Sequence, residues 1–127
     1  MSDIKQKYVI SSTLNKVWEA LVNPKEISAW GGGPAKMSDE VGFEFKLWGG
    51  DVHGKNLVVK NQKQLVQEWV SGDWETPSLV TFNLKQKNDK VEIELINENV
   101  PADEEKDISE GWKDYYLGSI KTYLENK

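Results

Sequence analysis

The chain has no cysteine, no arginine and a single histidine, His53, among its 127 residues. Without cysteine there are no disulfides, no thiolate nucleophile and no cysteine-ligated zinc or iron–sulfur centre. One histidine excludes paired-imidazole catalysis and a multi-histidine metal site. No serine sits in a nucleophile-elbow setting, so no triad forms around it. All 16 basic residues are lysines, set against 21 acidic residues, for a net charge of −5. That balance repels phosphate backbones, and the side chain best suited to bidentate phosphate and guanine contacts is missing. Nucleic acid is therefore not an expected partner. No stretch approaches the roughly 18 consecutive apolar residues of a membrane span, and the polar start Met1-Ser2-Asp3-Ile4-Lys5 lacks a signal-peptide core. The expected location is the cytoplasm. With 4 prolines, no repeat and no linker composition, one domain over residues 1–127 is expected. No metal, cofactor or catalytic residue is called for by these features.

What is present is patterning. Residues 4–10 read as a strand. Ser12 or Thr13 is placed to cap a helix with Leu14, Val17, Trp18, Leu21 and Val22 on its apolar face. Asn23-Pro24 stops that helix and starts a second short one running to Trp30. Phe43, Phe45 and Leu47 then alternate with Glu44, Lys46 and Trp48, which puts Trp48 on the outward face. Gly49-Gly50-Asp51 is a hairpin signal into 52–60, followed by strands over 63–70, 78–87 and 90–97. Val80, Phe82 and Leu84 share a face, as do Val91, Ile93 and Leu95, with Glu92 and Glu94 opposite. Such alternation marks an antiparallel sheet with one covered face. The cover is a helix from about Asp103 to Glu125, about 33 Å long. Its stripe is Ile108, Trp112, Tyr115, Tyr116, Ile120, Tyr123 and Leu124. The expected class is α+β: a curved sheet of about six antiparallel strands gripping a long C-terminal helix, with two short helices after strand 1.

Several local stretches carry a family resemblance. Val17-Trp18-Glu19-Ala20-Leu21 with Pro24 and Trp30 opens it, followed by Val41-Gly42-Phe43-Glu44-Phe45 and Gly50-Asp51-Val52-His53-Gly54. Leu65-Val66-Gln67-Glu68-Trp69, Asp73-Trp74, Val100-Pro101, Gly111-Trp112, Tyr115-Tyr116 and Tyr123-Leu124 complete it in order. The chain resembles the family named after the activator of the 90-kDa heat-shock-protein ATPase, and within it the C-terminal domain. That family belongs to the START-like, birch-pollen-allergen-like superfamily, also called SRPBCC. The resemblance implies a helix-grip fold that often encloses an apolar cavity. It also implies a chaperone or other protein as a partner, and a link to the stress response.

Six tryptophans in this length are several times the usual share. Trp18 reads as core. By phase, Trp69 and Trp112 face each other between sheet and helix, where they serve either as packing or as the wall of a ligand site. The residues nominated to line an apolar pocket for a small hydrophobic molecule are Phe45, Leu47, Trp69, Phe82, Trp112 and Tyr116. The alternative reading is a protein-interaction, co-chaperone-like domain in which an exposed patch with Trp48 or Trp74 carries the binding. Asn56 and Gln67 point to the covered side, where a buried amide must find partners or cost about 1–3 kcal/mol. His53 lies in the solvent-facing phase. Gly31-Gly32-Gly33 lacks a phosphate-loop pattern and reads as a lid-like loop beside the pocket mouth.

Overall fold

The computed structural model describes residues 2–72 and 74–126. Asp73 of the Asp73-Trp74 pair lies outside the described residues, as do the termini Met1 and Lys127. The elements are β1 (Ser2–Ile10), α1 (Leu14–Val22), α2 (Pro24–Trp30), β2 (Glu44–Leu47), β3 (Val52–Lys60), β4 (Gln64–Ser71), β5 (Ser78–Lys87) and β6 (Lys90–Val100). They are followed by α3 (Glu105–Gly111), a π-helical turn at Trp112–Tyr116 and α4 (Leu117–Glu125). The strands form one sheet in the order β1-β6-β5-β4-β3-β2, with every neighbouring pair antiparallel. This is a helix-grip fold.

Local chemistry accounts for the junctions. Of the two candidate caps, Thr13 starts α1, its hydroxyl accepting the Lys16 N–H at 3.2 Å. Asn23 closes one helix and opens the next. Its N–H donates to Glu19 O at 2.9 Å, and its side-chain oxygen accepts the Lys25 N–H at 2.9 Å. Pro24 then occupies the first helical position, where its missing N–H costs nothing. The free edge of β1 is tied to the end of the chain: Lys121 Nζ donates to Val9 O at 2.6 Å, and Ser11 N–H donates to Glu125 Oε2 at 2.9 Å. At the other edge, Lys36 exchanges two backbone bonds of 2.9 Å with Lys46 on β2.

The core lies between the sheet and the helices, and the register decides who is in it. Val80, Phe82 and Leu84 of β5 and Val91, Ile93 and Leu95 of β6 are all buried. Glu92 and Glu94, one step out of phase, lie on the other face. Trp18, Leu21 and Ile27 close the core from α1 and α2. Trp18 is core, as its spacing predicts.

Two expectations are corrected here. The final helix is not one regular α-helix from Asp103 to Glu125, because the π-helical turn inserts an extra residue. The Leu117 N–H reaches back five residues to Trp112 O. Ser119 Oγ donates to the carbonyl of Asp114 at 3.3 Å. A Cβ built on Gly118 would run into the Lys113 carbonyl oxygen, so glycine is required beside this turn. Trp112 and Tyr116 stay inward, as their spacing predicts, but the extra residue rotates Tyr115 off the stripe, leaving it 67% exposed. Trp48 is the second correction. The strand ends at Leu47, Trp48 takes a positive φ of 49°, and its indole folds back over the core instead of facing outward.

Candidate functional site

The inward face carries an aromatic cluster centred on Tyr116. Its ring meets Trp30 at a centroid separation of 4.7 Å, Trp112 at 4.8 Å, Trp69 at 5.6 Å, Phe82 at 5.7 Å and Trp48 at 6.2 Å. Trp69 and Trp112 face each other at 4.7 Å, as their phases predict. The Phe82–Tyr116 pair is stacked and the others are tilted or edge-on, the arrangements that ring quadrupoles favour. The Tyr116 hydroxyl is buried with no hydrogen-bond partner among the described residues, a deficit of about 1–3 kcal/mol. Burial alone pushes its phenol well above the usual value.

A chain of amides threads behind this cluster. Trp69 Nε1–H donates to Gln67 Oε1 at 2.8 Å, and Gln67 Nε2 donates to Asn56 Oδ1 at 2.9 Å. Asn56 Nδ2 donates to the carbonyls of Ser38 at 2.9 Å and Glu40 at 3.1 Å. Both amides are fully buried, and the bonds satisfy them within the protein. A second, shorter chain runs from Trp112 Nε1–H to Asn97 Oδ1 at 3.0 Å and from Asn97 Nδ2 to Leu79 O at 3.2 Å.

Beside the cluster lies a cavity of about 340 Å³ at the end of the sheet where β3 begins and β4 ends. The register Val52↔Ser71 and Trp69↔Ser78 stacks those strand ends, and Asn97 of β6, the register partner of Val80, joins them. The helix side is Ile108 and Gly111 of α3 with Trp112, Tyr115 and Tyr116 of the π-helical turn. Trp48 and Trp74 form the remaining wall. None of the described residues that line it is charged.

Of the six nominated residues, Trp69, Trp112 and Tyr116 line this cavity. Phe45, Leu47 and Phe82 do not. They are fully packed, Phe45 and Leu47 on the edge strand β2 and Phe82 on the inner strand β5. The cavity lies instead against the second half of α3 and the π-helical turn. Asn97 was missed, although it continues the inward phase of Val91, Ile93 and Leu95; one more step of that alternation finds it. Ser71 and Ser78 were missed as well: they continue the inward phases of Leu65, Gln67 and Trp69 and of Val80, Phe82 and Leu84, and register brings their strand ends together.

The glycine loop is not a lid. Trp48 N–H donates to Gly32 O at 2.8 Å, Gly49 N–H to Pro34 O at 2.9 Å and Trp48 Nε1–H to Gly31 O at 2.8 Å. These bonds pin residues 31–34 to the turn at 48–50, and the loop does not line the cavity. His53 is exposed on the outer face. Among the described residues, no group of three or more acidic or histidine side chains is placed to hold a metal. No helix among them is long and apolar enough to cross a membrane.

Residues 11–125 match the family described as Activator of Hsp90 ATPase homolog 1-like protein. The chain belongs to that family. An uncharacterized protein of Schizosaccharomyces pombe is 29% identical over 123 residues, covering 95% of this chain and 37% of that protein. An Activator of 90 kDa heat shock protein ATPase homolog from Dictyostelium discoideum is 28% identical over 108 residues, covering 82% of this chain and 28% of its own length. The chain thus spans about a third of the length of the curated relatives it matches. The crystal structure of an HSP90 activator from Plasmodium falciparum shares the fold, with a TM-score of 0.88 over 96% of this chain and 95% of that one at 19% identity. Membership of the Hsp90 ATPase activator-like family and the helix-grip fold together support a binding or co-chaperone-like module.

Proposed function

We propose that the chain is a binding module that takes a small hydrophobic molecule into the aromatic cavity between the sheet and the start of the C-terminal helix. The observation that carries this reading is the cavity itself: about 340 Å³, with four tryptophans, two tyrosines and no charged side chain among the described residues that line it. Ligand sites start near about 300 Å³ and pair an apolar wall with a few polar groups, here Ser71, Ser78 and Asn97. Trp69, Trp112 and Tyr116 form the contact wall, while Phe45, Leu47 and Phe82 hold that wall in place from behind. Burying apolar ligand surface contributes about 25 cal/mol per Å², so about 200 Å² gives a gross driving force near 5 kcal/mol. An apolar fluorescent probe tests this. One probe should bind per chain, and Trp112→Ala should abolish binding. A folded wild-type protein that binds none refutes the reading.

A second reading rests on the relatives' names and on the rim. Tyr115 is exposed, and Trp48 and Trp74 are half-buried beside it. In this reading the rim docks on a protein, with the 90-kDa heat-shock protein the first partner to try. Calorimetry with that chaperone separates the two. Binding that is lost in Tyr115→Ala but kept when the cavity is filled by probe favours docking. A cytoplasmic location goes with either reading.

A further inference from the structure

Resting on the ligand-binding reading above, we infer that the molecule taken by the cavity is a small organic cation with an apolar body, a tertiary or quaternary ammonium. The argument concerns what the aromatic walls have left to offer. An indole presents an electron-rich face and one N–H donor, and here all four indole donors on the wall are already committed. Trp48 Nε1–H donates to Gly31 O at 2.8 Å and Trp69 Nε1–H to Gln67 Oε1 at 2.8 Å. Trp112 Nε1–H donates to Asn97 Oδ1 and Trp74 Nε1–H to Glu104 Oε2, both at 3.0 Å. The Asn97 amide N–H is directed to Leu79 O. An anion would find no free indole donor and no lysine among the described lining residues, only the neutral hydroxyls of Ser71, Ser78, Tyr115 and Tyr116.

The π faces, in contrast, remain uncommitted to any charge. A cation within about 6 Å of such a face is attracted by the ring quadrupole, more strongly when desolvated. A quaternary ammonium suits the site because it carries charge without an N–H donor needing an acceptor, and a tertiary one brings a single N–H. The rim adds a fixed negative charge: the Glu104 carboxylate is held by Trp74, a cavity residue, one helical turn before Ile108. The net charge of −5 draws cations toward the molecule as a whole. Faces, committed donors and a carboxylate at the rim all favour the same sign of charge.

The test compares benzyltrimethylammonium with neopentylbenzene, its carbon-for-nitrogen isostere, by displacement of an apolar fluorescent probe. The two have the same shape and differ in charge. The cation should bind about tenfold more tightly. Glu104→Gln, which keeps an acceptor for Trp74, should weaken the cation about threefold and leave the neutral isostere unchanged. Equal affinity for the two, or tighter binding of the neutral compound, overturns the inference while the ligand-binding reading stands. Failure of both to displace probe from the cavity overturns the two together.

Discussion

Gln67→Leu is the most informative single change, because it removes the middle of a buried hydrogen-bond chain while nearly conserving volume. Gln67 is 0% exposed and accepts from Trp69 Nε1–H at 2.8 Å while donating to Asn56 Oδ1 at 2.9 Å and to Met37 Sδ at 3.8 Å. The variant leaves the Trp69 donor and the Asn56 acceptor unpaired, at about 1–3 kcal/mol each. Replacing an amide by a hydrocarbon recovers part of this, because no side-chain amide is then desolvated. The net expectation is a loss of about 2–4 kcal/mol. Unfolding entropy near 2.1 cal/mol/K per residue makes each kcal/mol worth about 4 °C in a chain of this size, so Tm should fall by about 8–15 °C. Gln64→Leu is the control. Gln64 is half-buried on the other face and donates to Asn83 Oδ1 at 2.9 Å, so its loss should stay below about 1 kcal/mol. Adding Trp69→Phe to Gln67→Leu removes one orphaned donor, and the pair should cost less than the sum of the single changes by about 1–2 kcal/mol. Denaturant melts followed by far-ultraviolet circular dichroism supply all four values. A Gln67→Leu protein as stable as Gln64→Leu would refute the claim that these amides depend on one another.

Other changes probe the remaining features. Trp18→Ala, in the packed core, should cost about 3–5 kcal/mol, whereas Trp74→Ala on the half-buried rim should cost about 1 kcal/mol, both read from urea melts. Gly118→Ala should lose about 2 kcal/mol or more, because its Cβ meets the Lys113 carbonyl and the π-helical turn must rearrange; altered fluorescence from Trp112 reports that shift. Gly111→Ala, where a Cβ meets nothing, should instead gain about 0.5–1 kcal/mol. The Glu125 carboxyl is lowered from its ordinary value by the Lys121 hydrogen bond and then by the Ser11 N–H. Its contribution is therefore present above the unfolded-state value and lost as pH falls through the folded one; Glu125→Gln should flatten acid melts below about pH 4.3. Burial raises the Tyr116 phenol, so its contribution is present below the unfolded-state value and lost as pH rises past about 10. Ultraviolet phenolate titration should show this tyrosine ionising together with unfolding.

The strands, the helices and the inward residues of β5 and β6 follow from local pattern. Val80, Phe82 and Leu84 against Val91, Ile93 and Leu95 need only a period of two and one wet face, and a slip by one residue would bury Glu92 and Glu94. Pro24 and Asn23 mark a helix boundary through their own backbone chemistry, which depends on no distant partner. The apposition of Trp69 and Trp112 also follows from phase, one from the strand and one from the helix. The π-helical turn does not. Its extra residue is held by Gly118 and Ser119 and by packing around Tyr116, and a helical wheel spaced at 3.6 residues placed Tyr115 inside. Trp48 escaped for a similar reason: alternation continues only while the strand does, and the strand ends at Leu47 with a positive φ at the next residue. The position of the cavity was least accessible. Inward side chains form a wall or a solid core according to whether their volumes fill the gap. Phe45, Leu47 and Phe82 fill it, while the strand ends, Trp74 and the second half of α3 leave about 340 Å³ open. Periodicity determines which way a side chain points, but the distance between surfaces is set by every contact in the fold at once, and only the tertiary structure decides that.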